Sequence, residues 1–454
     1  MKTWVTATCV GIAIGIVYAL SPATAWFAVA MWTLHRYATA GVEADEARWV
    51  TAILVAAVVL RVAAVAVLFV MTDHAHTAFG VFFGDEEFYI RRSIWLRNVA
   101  LGVPIHSADL IYAFDESGWT SHLYVLSFAQ VLFGPSPYGV HLTGVALYLC
   151  AAVMLFRLAR RSFGSAPALL SLTVLCFLPS LFAWSISVLK EPLYFLLTVL
   201  CVSAAIAIIR ARRWAWRSAA AVAIAGLVAA LGTVRQGGAA LTAGGLALGL
   251  VTWFLVRRPR ALVAVAVAAP IVAGAVLNDP LRQIRAYSYV QIAAKQHWGH
   301  VQTPGWTYKL LDEHYYNESS SIDGLEFVDA ARFVVRAVER YVTAPWPWEA
   351  ESVSTLAYLP EQVVWYLIVL LLPWGMVSAL RRDPLLACLL VGIGAVGALG
   401  IALLSGNIGT LVRLRVLALP YFATISATGL CDLLAAAVRR ERGPATQKAE
   451  PIWR

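Results

Sequence analysis

The feature that most constrains this chain is a series of about twelve apolar stretches, most of them long enough to cross a lipid bilayer as an α-helix. Hydrophobic residues make up 60% of the 454-residue sequence and charged residues only 13%, whereas a soluble domain carries about 25% charged residues. The sequence therefore predicts an all-α polytopic membrane protein with about twelve transmembrane helices. The predicted spans are residues 4–20, 22–36, 49–72, 138–157, 165–183, 190–209, 217–234, 237–256, 260–277, 361–380, 384–404 and 412–436.

Basic residues cluster in alternate loops, and this pattern predicts how the chain is oriented. Clusters lie around Arg160, Arg213, Arg258 and Arg381, and another occupies the C-terminal tail. Because loops rich in Lys and Arg stay in the cytoplasm, both termini are predicted to be cytoplasmic. The net charge of +9 is then a sign of topology, and nothing in it points to nucleic-acid binding.

Two long loops, residues 73–137 and 278–360, are extracytoplasmic in this orientation and hold most of the carboxylates. The apolar segment 121–134 cannot cross the membrane without inverting every later span, so it is predicted to be an interfacial or re-entrant helix. In the second loop, apolar residues recur at helical spacing from Ile322 to Tyr341. This pattern predicts an amphipathic helix at the membrane surface.

These predictions divide the chain into five parts. They are an N-terminal helical hairpin (1–48), a transmembrane core that includes the first loop (49–277), an extracytoplasmic subdomain (278–360), the C-terminal transmembrane helices (361–436) and a cytoplasmic tail (437–454).

Three consecutive carboxylates, Asp85, Glu86 and Glu87, follow the third predicted span. An acid at the mouth of a helix bundle can act as a general base by accepting the proton of an attacking hydroxyl group, and Glu86 could help to position Asp85. The alternative is a structural role, in which the acids begin an interfacial helix and interact with its arginines.

A short turn between two apolar spans carries Lys190 and Glu191, followed by Pro192. Proline is favoured in the first turn of a helix, so both residues are predicted to begin the next helix. Glu191 would there interact favourably with the helix dipole. The functional alternative has Lys190 binding a phosphate and Glu191 binding a sugar hydroxyl or a cation.

Three arginines, Arg235, Arg413 and Arg415, lie at extracytoplasmic loop ends, against the general distribution of basic residues. A guanidinium group can bind a phosphate through two parallel hydrogen bonds, so these residues predict a shared anionic ligand. The alternative is that they snorkel, or that they pair with Glu191 or Asp85.

Other polar residues in apolar surroundings are interpreted as structural. Arg61 and His141 lie within predicted spans and are expected to be packing or network residues. His297 and His300 are weak candidates for metal ligands, and no metal site is predicted.

Several of these motifs together resemble the GT-C superfamily of polytopic glycosyltransferases, in particular the bacterial group similar to protein O-mannosyltransferases and the lipid A aminoarabinose transferase. The resemblance covers residues 49–270 in layout and 405–425 in motif. It departs from the family pattern in two ways. Ser121-His122-Leu123-Tyr124 stands where a His-Pro-Pro or Lys-Pro-Pro motif is expected, and two extra spans precede the usual first helix. The motifs that carry it are Gly84-Asp85-Glu86-Glu87-Phe88-Tyr89, Val131-Leu132-Phe133-Gly134, the set Pro179, Ser187, Lys190 and Glu191, and the set Arg413, Arg415 and Pro420.

The resemblance implies transfer of a sugar, with inversion, from a polyprenyl-phosphate donor to an extracytoplasmic glycan, lipid or protein acceptor at a bacterial plasma membrane. It implies that Asp85 is the general base, with Glu86 beside it as a second catalytic residue. No cofactor is required, although a divalent cation near these two acids stays an alternative. The residues implied to bind the substrate or its phosphate are Tyr89, Lys190, Glu191, Arg235, Arg413 and Arg415.

Two other functions stay open at this point. An O-antigen-type polymerase or ligase would also have about a dozen helices, a large late outer loop and essential arginines. A transporter or flippase for a lipid-linked sugar would need discontinuous helices with polar groups at the bilayer midplane. The polar groups of this chain crowd at one face, which favours an enzyme over a transporter.

Overall fold

The computed structural model describes residues 2–20, 22–73, 76, 85–116, 118–136, 138–302, 309–311, 327–349 and 353–441. Within this part the chain forms nineteen α-helices and no β-strand. One isolated antiparallel bridge joins Lys309 to Asn407. The predicted all-α class is confirmed.

Long helices alternate with short ones along the chain. In order they are α1 (Lys2–Leu20), α2 (Pro22–Thr39), α3 (Ala44–Met71), α4 (Glu86–Ala100), α5 (Ser107–Ala113), α6 (His122–Phe133), α7 (Gly139–Phe163), α8 (Ser165–Phe177), α9 (Pro179–Ile186), α10 (Glu191–Arg210), α11 (Trp214–Val234), α12 (Gly238–Val256), α13 (Pro259–Leu277), α14 (Pro280–Gln302), α15 (Phe327–Thr343), α16 (Val353–Arg382), α17 (Pro384–Leu404), α18 (Ile408–Arg415) and α19 (Leu419–Glu441), with a short 3-10 helix at Pro347–Glu349.

Eight of the described helices are long and apolar enough to cross a membrane, namely α3, α7, α10, α11, α12, α16, α17 and α19. The pair α8 and α9 is a ninth candidate if its two halves form one span. The chain is therefore a multi-pass membrane protein. Helices α1, α2 and α13 occupy the remaining three predicted spans, and their crossing of the membrane stays a prediction.

The predicted span 165–183 is divided into two helices, because the chain bends by 60° between α8 and α9. Pro179 begins α9, and its ring nitrogen cannot donate the backbone hydrogen bond that a continuous helix would need there.

The predicted span 412–436 is also divided. Its first residues belong to α18, which begins where the Asn407 side chain accepts a hydrogen bond of 2.7 Å from the Thr410 N–H.

Helix α6 occupies most of the segment 121–134 and has twelve residues. A helix of that size is about 18 Å long, whereas the hydrocarbon core of a bilayer is about 30 Å thick. The length of α6 supports the interpretation of this segment as an interfacial or re-entrant helix.

The chain forms two compact units. One comprises Met1–Arg161 and Leu172–Ala240, and the other comprises Ser162–Ser171 and Leu241–Arg454. The first contains a buried apolar cluster in which Ile90 of α4 and Leu123 of α6 pack with Val188, between α9 and α10. This packing places the turn before α10 beside the acidic start of α4. The five-part division expected from the sequence stays a prediction.

Helices of the second unit approach one another closely at glycines. A Cβ atom added to Gly249 of α12 would lie 2.7 Å from the Cys388 carbonyl oxygen of α17, and one added to Gly429 of α19 would lie 2.6 Å from the Gly375 backbone nitrogen of α16. Glycine therefore permits backbone contact between helices, as small residues commonly do in membrane proteins.

Helix α15 accounts for most of the amphipathic helix predicted from Ile322 to Tyr341, and residues 322–326 lie outside the described part. Its side chains Phe333, Ala337 and Tyr341 are buried, whereas Val328 remains exposed. The apolar face of α15 therefore packs mainly against protein, including α14 and α17.

Candidate active site

The candidate active site lies in the first unit, where the start of α4 contacts the turn between α9 and α10. The Glu86 carboxylate is fully buried, and its Oε1 accepts a hydrogen bond of 2.8 Å from the Val188 backbone N–H. The two residues are 102 positions apart, so this contact connects the first loop to the turn that precedes Lys190.

Asp85 precedes α4 and is exposed, whereas the adjacent Glu86 is buried. The Asp85 side chain makes no capping hydrogen bond to the helix. Glu86 and Glu87 occupy the first turn of α4, and Glu87 forms an ion pair with Arg91 one turn later. The expected helix start is therefore present, but Asp85 does not cap it through its side chain.

Tyr89 is buried one turn into α4 and was expected to contact the substrate. Its ring packs edge-on against Phe88, at 5.5 Å between ring centroids, and against His122, at 5.9 Å. These contacts connect α4 to α6 within the apolar cluster of this unit.

Lys190 and Glu191 begin α10, as predicted, with Lys190 at the N-cap position and Pro192 in the first turn. Glu191 is 4% exposed, and its Oε1 lies 3.6 Å from Nη1 of Arg235. The pairing of Arg235 with Glu191, one of the two alternatives for that arginine, is therefore present. A carboxylate and an arginine are thus paired at this end of α10, directly after Lys190 in the sequence.

The segment before α6 is joined to the segment around Arg235. The Thr120 hydroxyl donates a hydrogen bond of 2.6 Å to the Val234 carbonyl, and the Ser121 N–H donates one of 3.0 Å to the Thr233 carbonyl. These bonds fix the backbone before Arg235 relative to α6.

His122 belongs to this site, although in the sequence it stood out only as part of a departure from the family pattern. Its Nε2–H donates a hydrogen bond of 2.9 Å to the Val188 carbonyl, so Val188 is held through both its N–H and its C=O. The pKa of His122 is lowered to about 4, chiefly by burial and to a smaller extent by Lys190, while the Val188 hydrogen bond and Glu191 act to raise it. The imidazole is therefore neutral at pH 7. A lone histidine in a short apolar helix was the signal that could have indicated this role.

Arg415 lies in the second unit, and its guanidinium group is buried among protein groups. Its Nη2 donates hydrogen bonds of 2.7 Å to the carbonyls of Tyr341 and Ala344, and its Nη1 donates one of 2.9 Å to Gln362. The rings of Tyr341 and Trp365 flank it at 5.5 and 4.6 Å. These contacts give Arg415 a structural role within its unit, and phosphate binding by Arg413 and Arg415 stays a prediction.

Metal ligands were not expected in this chain. Within the described ranges, no group of three or more His, Cys, Asp or Glu side chains is arranged to hold a metal ion.

Comparison with known families confirms the resemblance to GT-C glycosyltransferases that the sequence indicated. Residues 135–319 match the family model described as mannosyltransferase (PIG-V). The matched region contains Lys190, Glu191 and Arg235, while Asp85 and Arg415 lie outside it. No curated protein and no solved structure matches the chain.

Proposed function

We propose that this protein transfers a mannosyl group from a polyprenyl-phosphate donor to a hydroxyl group of an extracytoplasmic glycan, lipid or protein. The family match supports mannose as the sugar. The observation that carries the proposal is the hydrogen bond between Glu86 and Val188, which joins the acidic start of α4 to the turn leading into Lys190. In the proposal, an acid and a cation from distant parts of the sequence act in one site.

In the proposed reaction, Asp85 accepts the proton of the acceptor hydroxyl group as its oxygen attacks the anomeric carbon of the sugar. A new C–O bond forms on one face of the sugar, and the bond to the lipid phosphate breaks on the other, which inverts the anomeric configuration. Asp85 suits this role because it is exposed at the start of α4.

The lipid phosphate departs with its negative charge, which needs stabilisation in the transition state. Lys190, at the N-cap of α10, and Arg235, beside Glu191, are the cations of the first unit that we assign to this task. Glu191 keeps the Arg235 guanidinium oriented through their ion pair. The positive end of the α10 dipole adds to the favourable potential.

The proposal includes a location. With both termini in the cytoplasm of a bacterial cell, the start of α4 and the turn before α10 would face the outer leaflet of the plasma membrane. A lipid-linked donor in that leaflet could then present its phosphate to Lys190 without leaving the membrane.

The test is transfer of radiolabel from polyprenyl-phosphate mannose by membranes that contain the wild type, Asp85→Asn or Glu87→Gln. Glu87 is a matched control because it is a partly exposed acid of the same helix that pairs with Arg91. Asp85→Asn is expected to lower transfer by about 100-fold or more, since a general base contributes at least that much. Glu87→Gln is expected to transfer label like the wild type.

If Asp85→Asn transfers label at the wild-type rate, the assigned base is wrong. Loss of activity on substitution of Arg413 or Arg415, with Asp85→Asn active, would instead support the polymerase or ligase alternative. Donors that carry other sugars, assayed in parallel, test the assignment of mannose.

A further inference from the structure

We infer that Glu86, His122, His141 and Arg61 are positioning residues that hold the turn from Ser185 to Lys190 in one fixed conformation for catalysis. This inference rests on the proposed function, in which Lys190 binds the donor phosphate. It also gives Glu86 a different role from that of a second catalytic acid.

The downstream part of the turn is held at Val188. Glu86 of α4 accepts a hydrogen bond from its N–H at 2.8 Å, and His122 of α6 donates one to its carbonyl at 2.9 Å. Glu86 and His122 are 0% and 2% exposed, so water does not compete for either bond. Helices α4 and α6 thus fix the backbone of Val188, which lies two positions before Lys190.

The upstream part of the turn is held in the same way by two other helices. The Nδ1–H of His141 in α7 donates a hydrogen bond of 2.9 Å to the Ile186 carbonyl. The Nε–H of Arg61 in α3 donates one of 2.7 Å to the Ser185 hydroxyl, which in turn donates to the Phe182 carbonyl.

Arg61 is the most informative of these residues, because a charged side chain within a membrane span is costly. It is fully buried, and none of the described carboxylates lies within ion-pair distance of it. The rings of Phe182 and Tyr148 flank its guanidinium at 4.9 and 5.5 Å, which partly offsets the cost of burial. Since none of the acids in the described part of the chain explains the arginine, we assign to it the function of holding Ser185 in place.

A close backbone contact completes the arrangement. A Cβ atom at Gly144 of α7 would lie 2.6 Å from the Ser187 carbonyl oxygen, closer than such atoms approach in proteins. Only glycine therefore allows α7 to support the turn at its present position. Any larger residue must displace the backbone that leads to Lys190.

A rigid turn would assist the transfer of a sugar from a lipid phosphate. Cationic groups stabilise a transition state best when they are already in place before charge develops. The Lys190 side chain is long and flexible, so the position of its backbone decides where its ammonium group can reach. A displacement of about 1 Å can lower a rate by about 100-fold.

The first test separates positioning from proton transfer at Glu86. Glu86→Gln keeps an oxygen that accepts the Val188 N–H, whereas Glu86→Leu removes it. We expect Glu86→Gln to retain kcat within about threefold of the wild type and Glu86→Leu to lose about 100-fold per folded molecule. If Glu86→Gln loses as much activity as Asp85→Asn, Glu86 takes part in proton transfer and the inference is wrong.

The second test compares Gly144→Ala with Gly226→Ala. Both glycines lie within long apolar helices, but a Cβ at Gly226 has no atom within 4 Å. Transfer is measured per folded molecule, after size-exclusion chromatography in detergent. Unfolded protein therefore does not lower the measured kcat. We expect about a 100-fold lower kcat for Gly144→Ala and wild-type kcat for Gly226→Ala. Equal activity of the two variants would contradict the inference.

A third comparison keeps the inference testable if Gly144→Ala does not fold. His122→Gln retains an N–H donor for the Val188 carbonyl, and His122→Leu does not. If His122 is a positioning residue, His122→Gln should keep the wild-type kcat and His122→Leu should lower it. An equal loss of kcat in both variants would contradict the inference. These outcomes are distinct from failure of the proposed function, which would appear as full activity of Asp85→Asn.

Discussion

Glu191 and Arg235 form an ion pair that joins the start of α10 to the end of α11, with Arg235 Nη1 3.6 Å from Glu191 Oε1. Glu191 is 4% exposed and the Arg235 side chain 18%, so the pair is largely shielded from water. The arginine that follows α11 is therefore matched by an acid in the first turn of α10. The pair therefore connects the end of α11 to the residue that directly follows Lys190 in the sequence.

Removal of either charge should destabilise the protein. Glu191→Gln leaves the Arg235 guanidinium largely buried without its carboxylate, and the expected loss is about 3 kcal/mol of unfolding free energy. Arg235→Gln should cost a similar amount, while the double variant should cost less than the sum of the two. Unfolding of the four proteins in the same detergent measures this coupling. Strictly additive losses would mean that the two residues do not stabilise each other.

Stability should fall in mildly acidic solution because of His122. Burial lowers its pKa from 6.5 to about 4, so the unfolded chain takes up a proton below about pH 6.5 while the folded protein does not. The contribution of the neutral imidazole is complete above pH 6.5 and is lost as the pH falls towards 4. The melting temperature of the wild type should therefore fall more steeply between pH 6.5 and 4.5 than that of His122→Gln. Parallel curves for the two proteins would contradict this prediction.

The membrane helices were predictable because the bilayer requires long apolar segments, whatever the tertiary contacts. The start of α10 at Lys190-Glu191 was predictable for a similarly local reason, since Pro192 favours the first turn of a helix. The bend at Pro179 was missed because an apolar run contains no signal for the angle between its two halves.

The arrangement of the site could be predicted only in part. Asp85 and Glu86 are neighbours in sequence, but successive residues of a helix point about 100° apart, so one is exposed and the other buried. The partner of Glu86 is a backbone N–H 102 positions away, and no local pattern indicates such a contact. The same holds for Arg61 and Ser185, which are 124 positions apart.

Substitution of Arg415 separates its structural role from the phosphate-binding role expected from the sequence. Arg415→Lys keeps the charge but cannot donate to the Tyr341, Ala344 and Gln362 oxygens together, so at least one buried acceptor loses its partner. We expect Arg415→Lys to lower the unfolding free energy by about 3 kcal/mol, which would be measured as a lower melting temperature. Arg439→Lys, at an exposed position of α19, is the control and should leave the melting temperature unchanged. Unchanged stability with lost transfer would instead support phosphate binding by Arg415.

Helix packing in the second unit depends on the absence of a side chain at Gly249. An alanine Cβ there would lie 2.7 Å from the Cys388 carbonyl oxygen and 2.8 Å from Leu389 Cα, both backbone atoms of α17 that cannot rotate away. Helices α12 and α17 must then separate, and overpacking of this kind costs about 1–3 kcal/mol. Gly274→Ala is the matched control, since it lies in apolar helix α13 with no atom within 4 Å of the added Cβ. We expect Gly249→Ala to lower the melting temperature and Gly274→Ala to leave it unchanged. Equal melting temperatures would show that α12 and α17 can accommodate the methyl group without separating.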